Sequence, residues 1–180
     1  MMTVAGEVTI TALADAVIDI LQECDGLSGV NLFIRGGTPM PVPQDYHPFC
    51  EVIIGEESPD TDYSGAVYQQ TYTGIITFTC QQFSDSDWLD TVQNKRAHVG
   101  SYDVIANLLT EAVIELQRDD WTSLNNLIIT NTFDSGVTLT ETVTRFYLTG
   151  PRVFGMEQRH NNYQNFGSVA FVIETDRVVN

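Results

Sequence analysis

Two stretches of the chain carry apolar residues at helical spacing. Ile10, Leu13, Ala14, Val17, Ile18 and Leu21 recur every three or four positions, and Asp15, Asp19 and Glu23 fall on the other side. That pattern predicts a helix over 10–24 that buries one face. Thr9 or Thr11 is placed to cap its start, and Gly26 to stop it in a left-handed turn. The second stripe is Ile105, Leu108, Leu109, Ala112, Val113 and Leu116, with Ser101 as N-cap, Asp103 in the first turn and Arg118 at the end. Elsewhere the period is two. From Tyr68 to Cys80 the positions Tyr68, Tyr72, Ile76, Phe78 and Cys80 alternate with Gln69, Thr71, Thr73, Thr77 and Thr79, which predicts a long strand with one wet face. Shorter strands are predicted at 32–34, 49–54 (ended by Gly55), 127–130, 137–148, 152–156 and 163–174. Turns at Asp134-Ser135-Gly136, Gly150-Pro151 and His160-Asn161-Asn162 separate the later ones. Residues 169–173 are apolar at every position, so that strand should be covered on both faces.

The order of helix, two or three strands, helix, three or four strands predicts an α+β fold. Its sheet is mainly antiparallel, with two amphipathic helices packed on one face and long loops. The 180 residues suit a single domain over 1–180, long enough to bury a core without disulfides or metal. Two segments stand out as probable assembly elements. Residues 27–48 hold Pro39, Pro41, Pro43 and Pro48, four of the six prolines, and alternate prolines make 38–48 a stiff, extended excursion. Residues 55–66 contain Glu56-Glu57-Ser58-Pro59-Asp60-Thr61-Asp62 and are expected to form an acidic loop.

Charge narrows the function. The chain carries 24 acidic and 8 basic side chains, a net −16, which argues against holding nucleic acid or an anionic membrane through a basic face. The charge is uneven: residues 1–94 have 14 acids and one base for −13, and residues 95–180 have 10 acids and seven bases for −3. Cys24, Cys50 and Cys80 are odd in number and widely spaced, so neither a disulfide framework nor a zinc site is expected, and free thiols in apolar stretches suit a reducing compartment. The N-terminus lacks a basic start and apolar core, and no apolar run reaches the ~18 residues of a membrane span.

Candidate chemistry is sparse. The sequence lacks GxGxxG, P-loop, HExxH and GxSxG motifs. His47, His98 and His160 are far apart, and His47 and His160 fall in turn-like contexts where a solvated or locally bonded ring is the expectation. Asp60/Asp62 and Asp85/Asp87 do not continue into a calcium loop. Glu56 and Glu57 are adjacent, with nothing to hold two distinct proton affinities. Arg35-Gly36-Gly37 is a loose match to an anion-binding nest and reads as a flexible turn. Tyr63, Tyr68 and Tyr72 read as sheet packing rather than a base-stacking platform. No enzyme is expected, and no catalytic, cofactor-binding or metal residues are assigned.

The succession of elements resembles the tail terminator (tail-completion) proteins of long-tailed bacteriophages. The matching pattern is the amphipathic helix over 10–21, a proline-bearing loop leading into His47-Pro48-Phe49-Cys50-Glu51-Val52-Ile53-Ile54, the long strand over 68–80, the helix over 101–117 and the closing hairpins. It covers most of the chain and rests on element order and hydrophobic pattern, without a diagnostic motif. Residues 27–48 and the terminal hairpins make this chain longer than many such proteins. The resemblance implies a structural virion protein, assembled in the host cytoplasm as a ring, usually a homohexamer. That ring caps the tail tube, stops its growth and joins it at the neck to the head–tail connector, and DNA passes through without specific binding. The implied partners are the tail tube protein and connector subunits, with no cofactor and no membrane. In that setting Glu56, Glu57, Asp60, Asp62, Pro39, Pro41 and Pro43 belong to lumen or interface loops. Two alternatives remain: another virion assembly subunit (tail tube or head–tail connector), or an acidic protein-binding or inhibitor module that occupies a basic site by charge mimicry.

Overall fold

The computed structural model describes residues 5–37, 42–59, 67–81, 100–118, 124, 126–132, 135–159 and 162–179. Its centre is one six-stranded sheet in the order β1-β2-β3-β6-β5-β4. The strands are β1 (Leu32–Arg35), β2 (Phe49–Pro59), β3 (Val67–Gln81), β4 (Ile128–Thr132), β5 (Thr138–Arg159) and β6 (Asn162–Val179). β1 and β2 run parallel, and every other neighbouring pair is antiparallel. The fold is therefore α+β with a mainly antiparallel sheet, as the periodicity predicts. β1 to β3 come from the N-terminal half of the chain and β4 to β6 from the C-terminal half, so the sheet divides along β3/β6.

Two helices, α1 (Ala5–Glu23) and α2 (Gly100–Leu116), lie on the same face of this sheet. Leu13, Val17 and Leu21 of α1 and Ile105, Leu109 and Leu116 of α2 are almost fully buried, in one cluster with Cys50, Val52, Ile76, Phe78, Phe171 and Ile173 of the strands. Each such aliphatic side chain contributes about 1.5–3 kcal/mol by leaving water, so the two stripes hold the helices to the sheet. The β6–α2 approach is close because Gly167 has no side chain: a Cβ there would lie 2.7 Å from the Ile105 side chain and 3.1 Å from the Phe154 ring. Phe154 is itself the cross-strand partner of Gly167, and Phe171 and Phe166 similarly oppose Gly74 and Gly155. In each pair the ring lies over the glycine, covering backbone that the glycine leaves bare.

Several expectations change. α1 starts at Ala5, so Thr9 and Thr11 lie inside it rather than capping it, and Ser101 likewise lies inside α2. Gly26 is not a left-handed stop: the chain leaves α1 at an extended Cys24, and Gly26 sits in a short 3-10 turn beneath the Glu111 side chain of α2. Gly55 does not end β2; the register shifts between Ile54 and Glu56 and the strand continues to Pro59. Gly150-Pro151 is not a turn between strands. It is an irregularity inside the 22-residue β5, with Gly150 at a φ of 71° and the register shifting between Thr149 and Val153. Arg159 pairs with Asn162 across β5 and β6; His160 and Asn161 of the expected turn lie outside the described residues.

Candidate functional site

The residues expected in assembly loops fall in three places. Glu56 and Glu57 are in β2, opposite Thr73 and Tyr72 of β3, so the expected 55–66 loop is a strand as far as Pro59. Pro43 precedes a single 3-10 turn over Gln44–Tyr46. Pro39, Pro41, Asp60 and Asp62 lie outside the described residues, as do Tyr63, Asp85, Asp87, His98 and His160.

The strap that contains Pro43 is fastened through His47. The Gln81 backbone N–H donates to His47 Nδ1 at 3.0 Å, which leaves the ring proton on Nε2, 3.3 Å from the Val42 carbonyl. The ring also stands edge-on to Phe49, centroids 5.0 Å apart. Burial lowers the proton affinity of His47 below the usual histidine value, against backbone contacts with Val42 and Thr79, which raise it. His47 is thus a buried, neutral tether between β3 and the strap: of the expected alternatives, a solvated or a locally bonded ring, it takes the local bond, to Val42, and adds the distant Gln81 N–H. Arg35 is also engaged: its Nη1 lies 2.6 Å from Asp15 Oδ2 of α1, with both side chains about half exposed. Tyr68 is partly buried in β3.

A carboxylate that the sequence did not single out is held by four neighbouring side chains. Glu141 of β5 is fully buried. Its Oε1 accepts from Arg177 (2.8 Å from Nε, 2.6 Å from Nη2) and from the Thr9 hydroxyl of α1 at 3.2 Å. Its Oε2 accepts from the Tyr72 hydroxyl at 2.6 Å and from Thr175 at 3.1 Å. Arg177 Nη2 also donates to the Tyr72 oxygen at 2.9 Å. A carboxylate offers about four lone-pair positions, so this one is saturated. It ties α1, β3, β5 and β6 together. The signal was present: Glu141 shares the inward phase of β5 with Leu139 and Val143, an acid where the pattern calls for an apolar side chain.

The three thiols are free and buried. Burial pushes all three above the usual cysteine value, Cys80 to about 11 and Cys50 further still. They are poor nucleophiles and poor metal ligands in this state. Among the described residues no three His, Cys, Asp or Glu side chains are grouped to hold a metal ion, and no helix is long and apolar enough to cross a membrane.

What the fold does expose is the sheet face turned away from the helices. At one end Phe49, Glu51, Thr79 and Ser168 are buried on that side. Beyond them the face runs on in cross-strand rows: Ile53, Ile75, Ala170, Thr149; then Thr73, Val172, Tyr147, with Val172 buried; then Thr71, Glu174, Arg145; then Gln69, Asp176, Thr142, Ile128. Ile128 is 63% exposed and Ile75 37%. Arg145 sits 4.7 Å over the Tyr147 ring and 3.9 Å from Glu174. The face is a mixed threonine, acid and aliphatic wall rather than a pocket. Neither the models of known protein families nor the curated protein sequences give a match to this chain.

Proposed function

We propose that this chain is a structural subunit of a long-tailed phage particle, a tail terminator that forms a ring at the end of the tail tube and joins it to the head connector. The observation that carries the reading is the one-sided sheet: two helices pack one face and leave much of the other as a wall of threonines with Glu174 and Asp176. Such a wall suits a surface that DNA passes without being held, because among the described residues its rows set Glu174 and Asp176 against a single base, Arg145. The net charge of −16 acts in the same direction. The matching order of helices and strands along the chain points to this family among virion proteins.

Light scattering with negative-stain imaging tests the reading. A monodisperse ring with an open centre is expected, and a compact monomer at high concentration would sink it. Open-ended polymerisation into tubes would favour a tail tube subunit instead. The acidic segment has its own test. Glu56 and Glu57 belong to a strand, so changing Glu56, Glu57, Asp60 and Asp62 to their amides preserves the backbone better than a deletion. Altered tail length or infectivity is expected, and wild-type tails would remove these residues from the ring's working surface.

A further inference from the structure

The sheet has an unpaired stretch on each outer side. β1 covers β2 only from Phe49 to Val52, and β4 covers β5 only from Thr138 to Thr142. Among the described residues, 53–59 of β2 and β5 from residue 144 onward have no strand on their outer edge. Such edges are templates for another strand.

The two stretches match in level and direction. Following the register across the sheet, Ile53 is level with Ile75, Ala170 and Thr149, and Pro59 with Gln70, Thr175 and Val143. Residues 53–59 of β2 and 143–149 of β5 therefore stand side by side at opposite edges, separated by β3 and β6. Three antiparallel steps lead from β2 to β5, so a second copy set beside the first, with its helices on the same side, presents its β2 antiparallel to β5. Below this level β1 occupies the β2 edge. On β5 the irregularity at Gly150-Pro151 begins at that same level, and such an insertion bends and twists a strand locally. Beyond it β5 stays paired with β6 from Val153, at the level β1 occupies beside β2, so a pairing between copies ends at Thr149 and the two sheets part below it.

Charge selects this pairing over its alternatives. The β2 stretch carries Glu56 and Glu57, whereas the β5 stretch carries Arg145, with its side chain 66% exposed, and Arg152 just past the irregularity. In the level pairing Tyr147 stands opposite Glu56 and Arg145 opposite Ser58, a diagonal Arg–Glu relation of the kind that stabilises antiparallel strands. Pairing β2 with β2 over the same stretch would set Glu56 against Glu57, whereas pairing β5 with β5 would bring no acid to Arg145.

We infer that residues 53–59 of one copy add as an antiparallel strand to residues 144–149 of the next, head to tail, building a continuous sheet around a ring. The inference rests on the ring reading above and supplies its subunit contact. A heterologous contact of this kind closes when the rotation between copies permits, and level pairing, without a slide along the strands, is compatible with closure.

The experiment compares amide hydrogen exchange of the full chain when assembled and when diluted to monomer, beside the oligomeric state of Arg145→Glu and of Arg145→Glu combined with Glu56→Arg and Glu57→Arg. Expected is slowed exchange in 53–59 and 144–149 on assembly. Arg145→Glu should raise the concentration needed for assembly by about tenfold, as like charges across an interface do, with unchanged circular dichroism, and the triple variant should recover it. A ring whose two stretches exchange as fast as in the monomer overturns the strand pairing and leaves the ring standing. A protein that stays monomeric at every concentration overturns both.

Discussion

Replacing Arg177 by Met isolates the energetic role of the buried carboxylate. At 2.6 Å and an effective dielectric constant of about 20, the ion pair has a gross attraction of about 6 kcal/mol, against a desolvation cost of several kcal/mol for each buried ion. The net value of the pair is therefore small, but the cost of breaking it is not. Arg177→Met leaves Glu141, fully buried, with the Tyr72, Thr9 and Thr175 hydroxyls as its remaining donors in this cluster, and should destabilise the fold by about 3 kcal/mol. Out of a total of about 5–15 kcal/mol, that is a large loss the protein can survive. Tyr72→Phe removes one hydrogen bond to a charged group and should cost about 1.5–3 kcal/mol. Glu141→Gln keeps an acceptor for the hydroxyls while removing the charge. The Glu141→Gln/Arg177→Met double variant should therefore lose at least about 1 kcal/mol less than the sum of the single losses. Urea unfolding followed by far-ultraviolet circular dichroism measures all four. If Arg177→Met costs under about 1 kcal/mol and the two changes add, the claim that this pair locks α1 to three strands is refuted.

The other expectations concern groups elsewhere in the core. A thiol reagent should leave Cys50 and Cys80 untouched in the native protein and reach all three cysteines after unfolding, because both are buried and hold their protons tightly; rapid native labelling of either would contradict the packing. Burial lowers the His47 pKa from 6.5, so as pH falls the unfolded chain takes up the proton first. Stability from this residue is full above that value, declines below it and levels off once the folded ring is protonated. Urea midpoints from about pH 7.5 to 5 should fall more steeply for the wild type than for His47→Gln, and parallel curves would remove His47 from the acid response. Gly167→Ala should cost about 1–3 kcal/mol, since its Cβ meets the Ile105 side chain 2.7 Å away. An unchanged melting temperature would mean that α2 sits farther from β6.

The elements were legible where one physical demand dominates. α1, α2 and β3 each bury a single face, and the 3.6- and 2-residue periods record that directly. The misread boundaries are those where tertiary placement overrides local chemistry. Glu-Glu-Ser-Pro reads as a loop, yet it is strand because this part of β2 lies at the sheet margin, where a proline forfeits little. Gly150-Pro151 reads as a turn, yet the following residues return to the same partner, β6. The burial of His47 is not legible in sequence because one of its partners, the Gln81 N–H, is 34 residues away. The Gly–Phe pairs are similarly invisible, because each requires the register of two strands.

The uneven charge along the chain acquires a direction once the sheet is assembled. The half with −13 supplies β1 to β3 and the half with −3 supplies β4 to β6, although only Glu51, Glu56 and Glu57 of the first half's 14 acids stand on those strands. Head-to-tail neighbours place the less acidic half against the more acidic one and so avoid setting two of the more acidic halves together. Both sides are still negative, so approach is opposed at long range and favoured only at contact. Salt separates these two effects. Between about 0.02 and 0.2 M the screening length falls from about 20 Å to about 7 Å, which removes repulsion between whole subunits but acts far less on a strand pair in contact. Ring assembly should therefore strengthen with salt over this range, measured as a lower concentration at half-assembly by light scattering. An acidic module that mimics a polyanion to occupy a basic partner would show the opposite sign, because its attraction is the long-range term. Association that weakens steadily with added salt would thus count against a ring of these subunits and in favour of a charge-matched partner.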